Sequence, residues 1–309
     1  MPPPLPDRFA RSPGGSEVRS ASVRRGDESH TIANGNGILQ IFPANGIGIG
    51  SAPRTKIVTG RSSGPITAKG PPVTDIEANF LHVGELRAYL ARPAGGSTGA
   101  MLLLPMITGI GAQVREYAED IARAGATALV WDPWHGPSAD DTPRDRLAEM
   151  MGRLDDEASL AEMGTLLDYA VDELGVSKIG VIGWCLGGRL ALLLAARDER
   201  PAAVVAYHPS IWDSAPPNHT LDAVDQASTI TAPVMVLHAG ADTVMSAEIF
   251  RDLQQALQQR RTGATIIHVY PGAEHGFSVR SRHGNQVNAD AYALSWPQVL
   301  RFVADTTLG

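Results

Sequence analysis

A predicted strand, a very tight turn and a predicted helix follow one another without a break between residues 178 and 197. Residues 178–182 are an apolar, β-branched run typical of a buried strand, and residues 189–197 have the composition of a helix. The turn between them is Gly183-Trp184-Cys185-Leu186-Gly187-Gly188. Its glycines allow the close backbone approach that such a reversal requires. The pattern predicts that Cys185 stands alone at the tip of the turn, in strained backbone.

Cys185 is the only cysteine of the chain, which excludes a disulfide within it. A lone cysteine is most often a small buried hydrophobe. Here, however, the sulfur lies at a predicted helix N-terminus, where the helix dipole and free backbone N–H groups favour a thiolate. We therefore interpret Cys185 as a nucleophile.

Predicted strands and helices alternate from residue 101 onward. Before them, residues 80–83 and 86–91 predict a hairpin around Gly84-Glu85. The later predicted strands are residues 101–104, 126–131, 178–182, 203–207, 234–238 and 265–270, and the predicted helices cover residues 114–122, part of 138–155, 160–174, 189–197, 249–257 and 291–303. This alternation predicts an α/β fold with a mostly parallel central sheet and helices on both faces.

Residues 1–72 have a different composition from the rest of the chain. They contain ten Pro, eleven Gly and eight Ser, and nine Lys or Arg against four Asp or Glu. Such a low-complexity segment predicts disorder, with the globular domain at residues 73–309. Arg24-Arg25 is only superficially like a twin-arginine signal, because acidic residues and glycines interrupt the apolar run after it. A transit peptide and a mis-assigned start remain alternatives.

The whole chain has 43% hydrophobic residues and a formal net charge of −7. The hydrophobic content suffices for a full core, and the acidic balance argues against nucleic acid as the main partner. No apolar run approaches the ~18 residues that span a bilayer. We expect a cytoplasmic protein with a small-molecule substrate and with neither metal nor cofactor. Gly46-Ile47-Gly48-Ile49-Gly50 lacks the strand and helix that a dinucleotide loop needs. The oligomeric state is open.

A cysteine nucleophile needs a base within reach and an acid that orients the base. Where the nucleophile occupies such a turn, the acid and then the histidine follow it along the chain. After the last predicted strand only His275 and His283 remain, and His275 occupies a Gly-flanked loop just beyond the strand end. Asp242 ends the turn after residues 234–238, although an Asp there can also be a simple turn former. We predict His275 as the base and Asp242 as the acid.

The oxyanion formed during acyl transfer needs two backbone N–H donors. One is predicted to be Leu186, the residue after the nucleophile. The other is predicted in the loop after residues 101–104, where we assign it to Ile107.

Three segments of the chain resemble the dienelactone hydrolase family of the α/β-hydrolase fold. They are Gly183-Trp184-Cys185-Leu186-Gly187-Gly188, Gly240-Ala241-Asp242 and Gly272-Ala273-Glu274-His275-Gly276-Phe277, and the likeness extends over residues 76–306. The resemblance implies an α/β-hydrolase fold, Cys185 as nucleophile, His275 as base and Asp242 as orienting acid.

The chain departs from this family at one position. Family members that open dienelactones have a glutamate just before the second oxyanion donor, where this chain has Met106. The resemblance also implies arginines that bind a substrate carboxylate, for which Arg280 and either Arg144 or Arg146 are the candidates. Trp134 and Trp212 lie on predicted loops near the site and are candidate substrate walls, and Trp184 is either a wall or buried scaffold.

Together these observations predict a hydrolase that cleaves a small ester, lactone or thioester through a cysteine acyl-enzyme. An acyltransferase, whose acyl-enzyme passes to an alcohol or amine, is one alternative. A non-catalytic ligand-binding or regulatory protein on the same fold is the other, and the absence of the glutamate at Met106 favours it.

Overall fold

The computed structural model describes residues 75–309 of the 309-residue chain. The predicted disordered segment 1–72 lies outside the described residues. The described part contains eight strands, β1 (Ile76–Val83), β2 (Leu86–Pro93), β3 (Gly99–Leu104), β4 (Thr127–Trp131), β5 (Lys178–Trp184), β6 (Pro201–Tyr207), β7 (Val234–Ala239) and β8 (Thr265–Tyr270). Its seven α-helices are α1 (Ala112–Arg123), α2 (Arg144–Met151), α3 (Asp156–Asp172), α4 (Leu186–Arg197), α5 (Ala223–Ala227), α6 (Ala247–Gln258) and α7 (Gln286–Thr307).

The strands form one sheet in the order β1-β2-β4-β3-β5-β6-β7-β8. β1 and β2 form the predicted hairpin, and β2 runs antiparallel to β4. The remaining strands, β3 to β8, are mutually parallel. The predicted α/β architecture is therefore confirmed. β5 lies in the middle of the sheet, and β8 lies at one margin, where it pairs only with β7.

Each face of the sheet carries its own core layer, because successive side chains of a strand point to opposite faces. Val181 of β5 belongs to the layer that includes residues of α3, α4 and α6, whereas Ile182 and Trp184 belong to the layer with α1 and α7. All three side chains are fully buried, which stabilises the fold by roughly 1.5–3 kcal/mol for each large apolar side chain. β5 is thus fixed from both faces, and so is the residue that follows it.

Some element boundaries differ from the predicted ones. The last helix was predicted over residues 291–303 but runs over Gln286–Thr307, because its first turn is polar and its start is set by Asn285, whose side chain accepts from Val287 N. Residues 138–155 were predicted to be partly helical and contain α2; α3 then begins after Asp155, which caps it through Ala158 N. Among the described helices, none is long and apolar enough to cross a membrane.

Candidate active site

Cys185 occupies the junction between β5 and α4. Its φ is 54° and its ψ is −114°, a conformation that costs a non-glycine residue about 1–3 kcal/mol. The turn is closed so tightly that a Cβ on Gly183 would lie 2.0 Å from Gly187 O, and one on Gly187 would lie 1.9 Å from Leu104 O. Only glycine fits at both positions, which agrees with the glycine pattern of the sequence.

The end of β6 and the loop after it hold the backbone of Cys185 on both sides. Cys185 N donates to Tyr207 O at 3.1 Å, and Cys185 O accepts from Ser210 N at 2.9 Å. Cys185 as a whole residue is half-buried. The strained backbone of Cys185 is therefore maintained by hydrogen bonds with the end of β6 and with the loop after it.

His275 and Asp242 come from the loops after β8 and β7, and the structure brings them together. His275 Nδ1 lies 2.9 Å from Asp242 Oδ2 and 3.2 Å from Oδ1. Asp242 Oδ1 also accepts from Val244 N at 2.7 Å and Met245 N at 3.0 Å, and its side chain is only 1% exposed. These bonds fix the carboxylate, which in turn fixes the imidazole so that the opposite ring nitrogen, Nε2, is the one available for proton transfer.

His275 Nε2 is buried and forms no hydrogen bond among the described residues, while the pKa of His275 and the pKa of Cys185 each depend on the other group. Burial opposes the charged form of each group, but Asp242 and Cys185 together raise the pKa of His275 to about 9. Burial likewise opposes the Cys185 thiolate, yet His275, the Leu186 N–H and the Ser210 hydroxyl together lower the pKa of the thiol. The pKa of Asp242 is also lowered, by His275 and the two backbone donors, against the effect of burial. The two pKa values are thus shifted in the directions that favour thiolate and imidazolium.

The predicted oxyanion donors lie on two segments, one at the turn that holds Cys185 and one in the loop after β3. Leu186 begins α4, and its N–H is among the groups that lower the pKa of Cys185. Ile107 lies in the loop after β3, whose shape is fixed by the Trp134 indole, since Nε1 donates to Ile107 O at 2.9 Å. The Trp134 ring also lies so close to Gly109 that a Cβ there would be 2.7 Å from it. The assignment of the oxyanion hole to Leu186 and Ile107 remains a prediction.

The candidate substrate-binding side chains have different environments. Trp134 is buried, whereas Trp212 is 38% exposed. Arg280 forms an ion pair with Glu116, and Arg146 pairs with Glu149 on the exposed side of α2, where Arg144 is also exposed. No contact of Arg144 or Arg146 joins them to Cys185 or His275 among the described residues.

Trp184 and Met106 are both buried. Trp184 is fully buried and stacks on Tyr117 with ring centroids 4.6 Å apart, so it is scaffold rather than a substrate wall. Met106, at the position of the family glutamate, is 4% exposed.

The sequence interpretation did not identify Ser210 and His208 as part of the site. Ser210 is 3% exposed and contacts Cys185 through backbone and hydroxyl. His208 is fully buried, has a φ of 37°, and lies edge-on to His275 with ring centroids 5.0 Å apart. Its Nε2 lies 2.8 Å from Ser278 Oγ, and burial together with the charge of His275 holds its pKa well below the ordinary value. The available signal was their position directly after a parallel strand, where functional loops collect.

The sheet has the strand order 1-2-4-3-5-6-7-8, and the candidate nucleophile directly follows the fifth strand. The candidate acid and the candidate histidine come later in the chain, each after a strand end. This arrangement is characteristic of the α/β hydrolases. The sequence comparison identifies one family within that class. The sequence model of the dienelactone hydrolase family matches residues 86–307, and the chain belongs to this family of carboxylic ester hydrolases.

Individual relatives agree with this membership. A probable 2-oxo-3-(5-oxofuran-2-ylidene)propanoate lactonase from Bradyrhizobium is 28% identical over 201 residues, which cover 63% of this chain and 80% of the relative. A carboxymethylenebutenolidase from Rhodococcus opacus is 29% identical over 246 residues, covering 78% and 94%. A crystal structure described as a dienelactone hydrolase from Klebsiella pneumoniae superposes with a TM-score of 0.63 at 25% identity, covering 72% and 98%.

Proposed function

We propose that this carboxylic ester hydrolase cleaves small esters, lactones or thioesters through an acyl-enzyme on Cys185, with His275 as acid and base and Asp242 as its orienting partner. One observation carries the proposal. His275 is held through Nδ1 by a buried carboxylate 2.9 Å away, which leaves Nε2 without a partner among the described residues, and the pKa of Cys185 is lowered although burial opposes its thiolate. Burial in apolar surroundings would raise the pKa of a purely structural cysteine.

In the acylation step, the Cys185 thiolate adds to the carbonyl carbon of the substrate. A C–S bond forms and the carbonyl π electrons move to oxygen, where the Leu186 and Ile107 N–H groups would stabilise the negative charge. Each such donor typically contributes ~10²–10³ in rate. When the carbonyl reforms, the C–O bond of the ester breaks and the leaving oxygen takes the Nε2 proton of His275. In a lactone that oxygen stays attached to the acyl chain.

In the deacylation step, neutral His275 removes a proton from water as the water oxygen adds to the thioester carbonyl. The second tetrahedral adduct collapses by breaking the C–S bond, which releases the carboxylic acid. Cys185 leaves as a thiolate beside the newly protonated imidazole. The pair therefore returns to the state that its pKa values favour, and ester plus water has become acid plus alcohol.

The names of the relatives support lactones as the substrate class. The Bradyrhizobium relative is called a lactonase, and the Rhodococcus relative a carboxymethylenebutenolidase. A cytoplasmic location stays a prediction that cell fractionation would test.

Turnover of 4-nitrophenyl acetate by wild type and by Cys185→Ala tests the mechanism. We expect the variant to lose activity by at least about 10³-fold, because the covalent route needs the thiolate. Its circular dichroism and unfolding midpoint should match wild type. Mass spectrometry of the wild-type protein quenched during turnover should show an added acetyl group on Cys185. Unchanged turnover in the folded variant would contradict the proposal.

A further inference from the structure

A cavity of about 390 Å³ lies beside the loop that carries the predicted oxyanion donor Ile107. Met106 and Thr108 of that loop line it, together with Gln113 and Glu116 of α1 and with Val279 and Arg280 from the segment after His275. Cys185 and His275 do not line it, but the two segments that do lead directly into the site. The cavity is therefore suited to receive the part of a substrate that extends beyond the reacting carbonyl.

The charges around this cavity cancel. Arg280 Nη2 lies 2.9 Å from Glu116 Oε2, and Nη1 donates to Oε1 at 3.3 Å. Arg115 Nη1 lies 3.0 Å from Oδ2 of Asp140, another lining residue. Two arginines thus face two carboxylates, and the buried Met106 adds no charge. A carboxylate entering here would lose hydration without meeting an uncompensated positive charge.

Gln113, one of the lining residues, has a neutral side-chain donor without an acceptor among the described residues. Gln113 Oε1 accepts from Arg280 N at 3.0 Å, which fixes the orientation of the side-chain amide. Its Nε2 is buried and has no hydrogen-bond partner among the described residues. A fixed, buried N–H donor favours a ligand that brings an oxygen acceptor to it.

We propose that this cavity selects the uncharged part of an ester or lactone, with Gln113 Nε2 donating to an oxygen of that part, and that it discriminates against substrates carrying a carboxylate there. The inference rests on the proposed function of the adjacent site and specifies its substrate class. It also gives Met106 a role, since an apolar side chain at this position keeps the cavity free of a third negative charge.

Two 4-nitrophenyl esters of adipic acid test the proposal, one with the distal carboxyl as the free carboxylate and one with it as the carboxamide. They match in size and differ in charge. We expect wild type to turn over the carboxamide with a kcat/KM about tenfold higher, because an unpaired carboxylate is costly to desolvate. An equal or higher value for the carboxylate would overturn the proposal.

Variants locate the preference in the cavity. Glu116→Gln leaves Arg280 without its partner and should raise kcat/KM for the carboxylate ester about fivefold, the range of a partly exposed ion pair. Gln113→Glu keeps an acceptor for Arg280 N and removes the donor, so kcat/KM for the carboxamide ester should fall. Glu157→Gln, which breaks the exposed pair with Arg197, is the matched control and should leave the ratio of the two substrates unchanged. A ratio unchanged in both cavity variants would overturn the proposal.

A binding measurement separates this inference from the proposed function. The 4-nitroanilides of the same two acids replace the ester by a stable amide, and calorimetry gives their Kd with wild-type protein. Tighter binding of the carboxamide anilide supports the inference even if neither ester is turned over, an outcome that would refute only the proposed function. Equal binding, or tighter binding of the carboxylate anilide, refutes the inference while ester turnover stands.

Discussion

At the scale of single residues, the thiolate of Cys185 depends on neutral and cationic neighbours. Met106 offers no carboxylate to remove the thiol proton, so in the proposed mechanism His275, the Leu186 N–H and the Ser210 hydroxyl, which lower the pKa of Cys185, would stabilise the charged sulfur. Of these, Ser210 can be altered without touching the imidazole. It is also fixed independently of the sulfur, through its backbone bond to Cys185 O.

Ser210→Ala should raise the pKa of Cys185, since the hydroxyl is one of the groups that lower it and a single hydrogen bond contributes about 1 kcal/mol. The rate of iodoacetamide alkylation as a function of pH measures this pKa. Ser210→Thr retains a hydroxyl and should restore the wild-type profile, and Ser228→Ala, a serine on the α5 cap, should not alter it. An alkylation profile identical in wild type and Ser210→Ala would show that the hydroxyl does not stabilise the thiolate.

If His275 is the proposed acid, its raised pKa predicts the alkaline limb of activity. A raised pKa keeps the proton on the imidazole until the pH passes about 9, so the acid that protonates the leaving group is present below that value and lost above it. Asp242→Asn removes part of what raises this pKa, so the descending limb of kcat/KM against pH should move to lower pH by about one unit or more. A limb that stays in place would mean that another group provides the leaving-group proton.

At the scale of secondary-structure elements, a buried ion pair connects α4, the helix that follows Cys185, to its neighbours. Arg189 of α4 donates to both carboxylate oxygens of Asp156 at the start of α3, at 2.7 and 2.8 Å. The same arginine donates to Leu221 O at 2.6 Å, and Leu221 N donates to Asp156 at 3.0 Å. Both charged side chains are 3% exposed or less. The first turn of α4 is therefore positioned from outside the helix.

Asp156→Ala should lower the free energy of unfolding by about 3–5 kcal/mol, because it leaves the Arg189 charge buried without a partner. Glu157→Ala, the adjacent residue, breaks only the exposed pair with Arg197 and should cost less than about 1 kcal/mol. Urea unfolding followed by tryptophan fluorescence measures both. Equal losses in the two variants would show that the buried pair adds nothing beyond surface charge.

At the scale of the whole molecule, the sequence alone was sufficient to predict the mostly parallel sheet and the α/β fold class. Buried parallel strands are continuous apolar runs, so β3 to β7 could be recognised from local pattern alone. The glycine spacing around Cys185 followed from backbone clashes that a Cβ would cause. The extent of α7 was missed because its polar first turn depends on the Asn285 cap rather than on apolar periodicity.

The surroundings of the site could not be predicted in this way. The ion pair of Arg280 with Glu116 joins residues 164 positions apart, and the contact of His208 with His275 depends on how two loops pack. Local patterns carry no information about such contacts. His275 and Asp242 were predictable as candidates from chain order, because an acid and then a histidine follow a nucleophile that occupies such a turn.

The proposed centre draws its nucleophile from the middle of the sheet but its base and acid from the last two strands. β8 is held by hydrogen bonds on one side only, and its side chains are mostly half-exposed or exposed. Local opening free energies are lowest where a segment has few buried contacts. On warming, esterase activity should therefore disappear at a lower temperature than the far-ultraviolet circular dichroism signal. Coincident midpoints would contradict this. Local unfolding of β8 would displace the proposed base while the sulfur of Cys185 stayed in place. Heating would then yield a folded protein whose thiol can still be alkylated but which no longer hydrolyses esters.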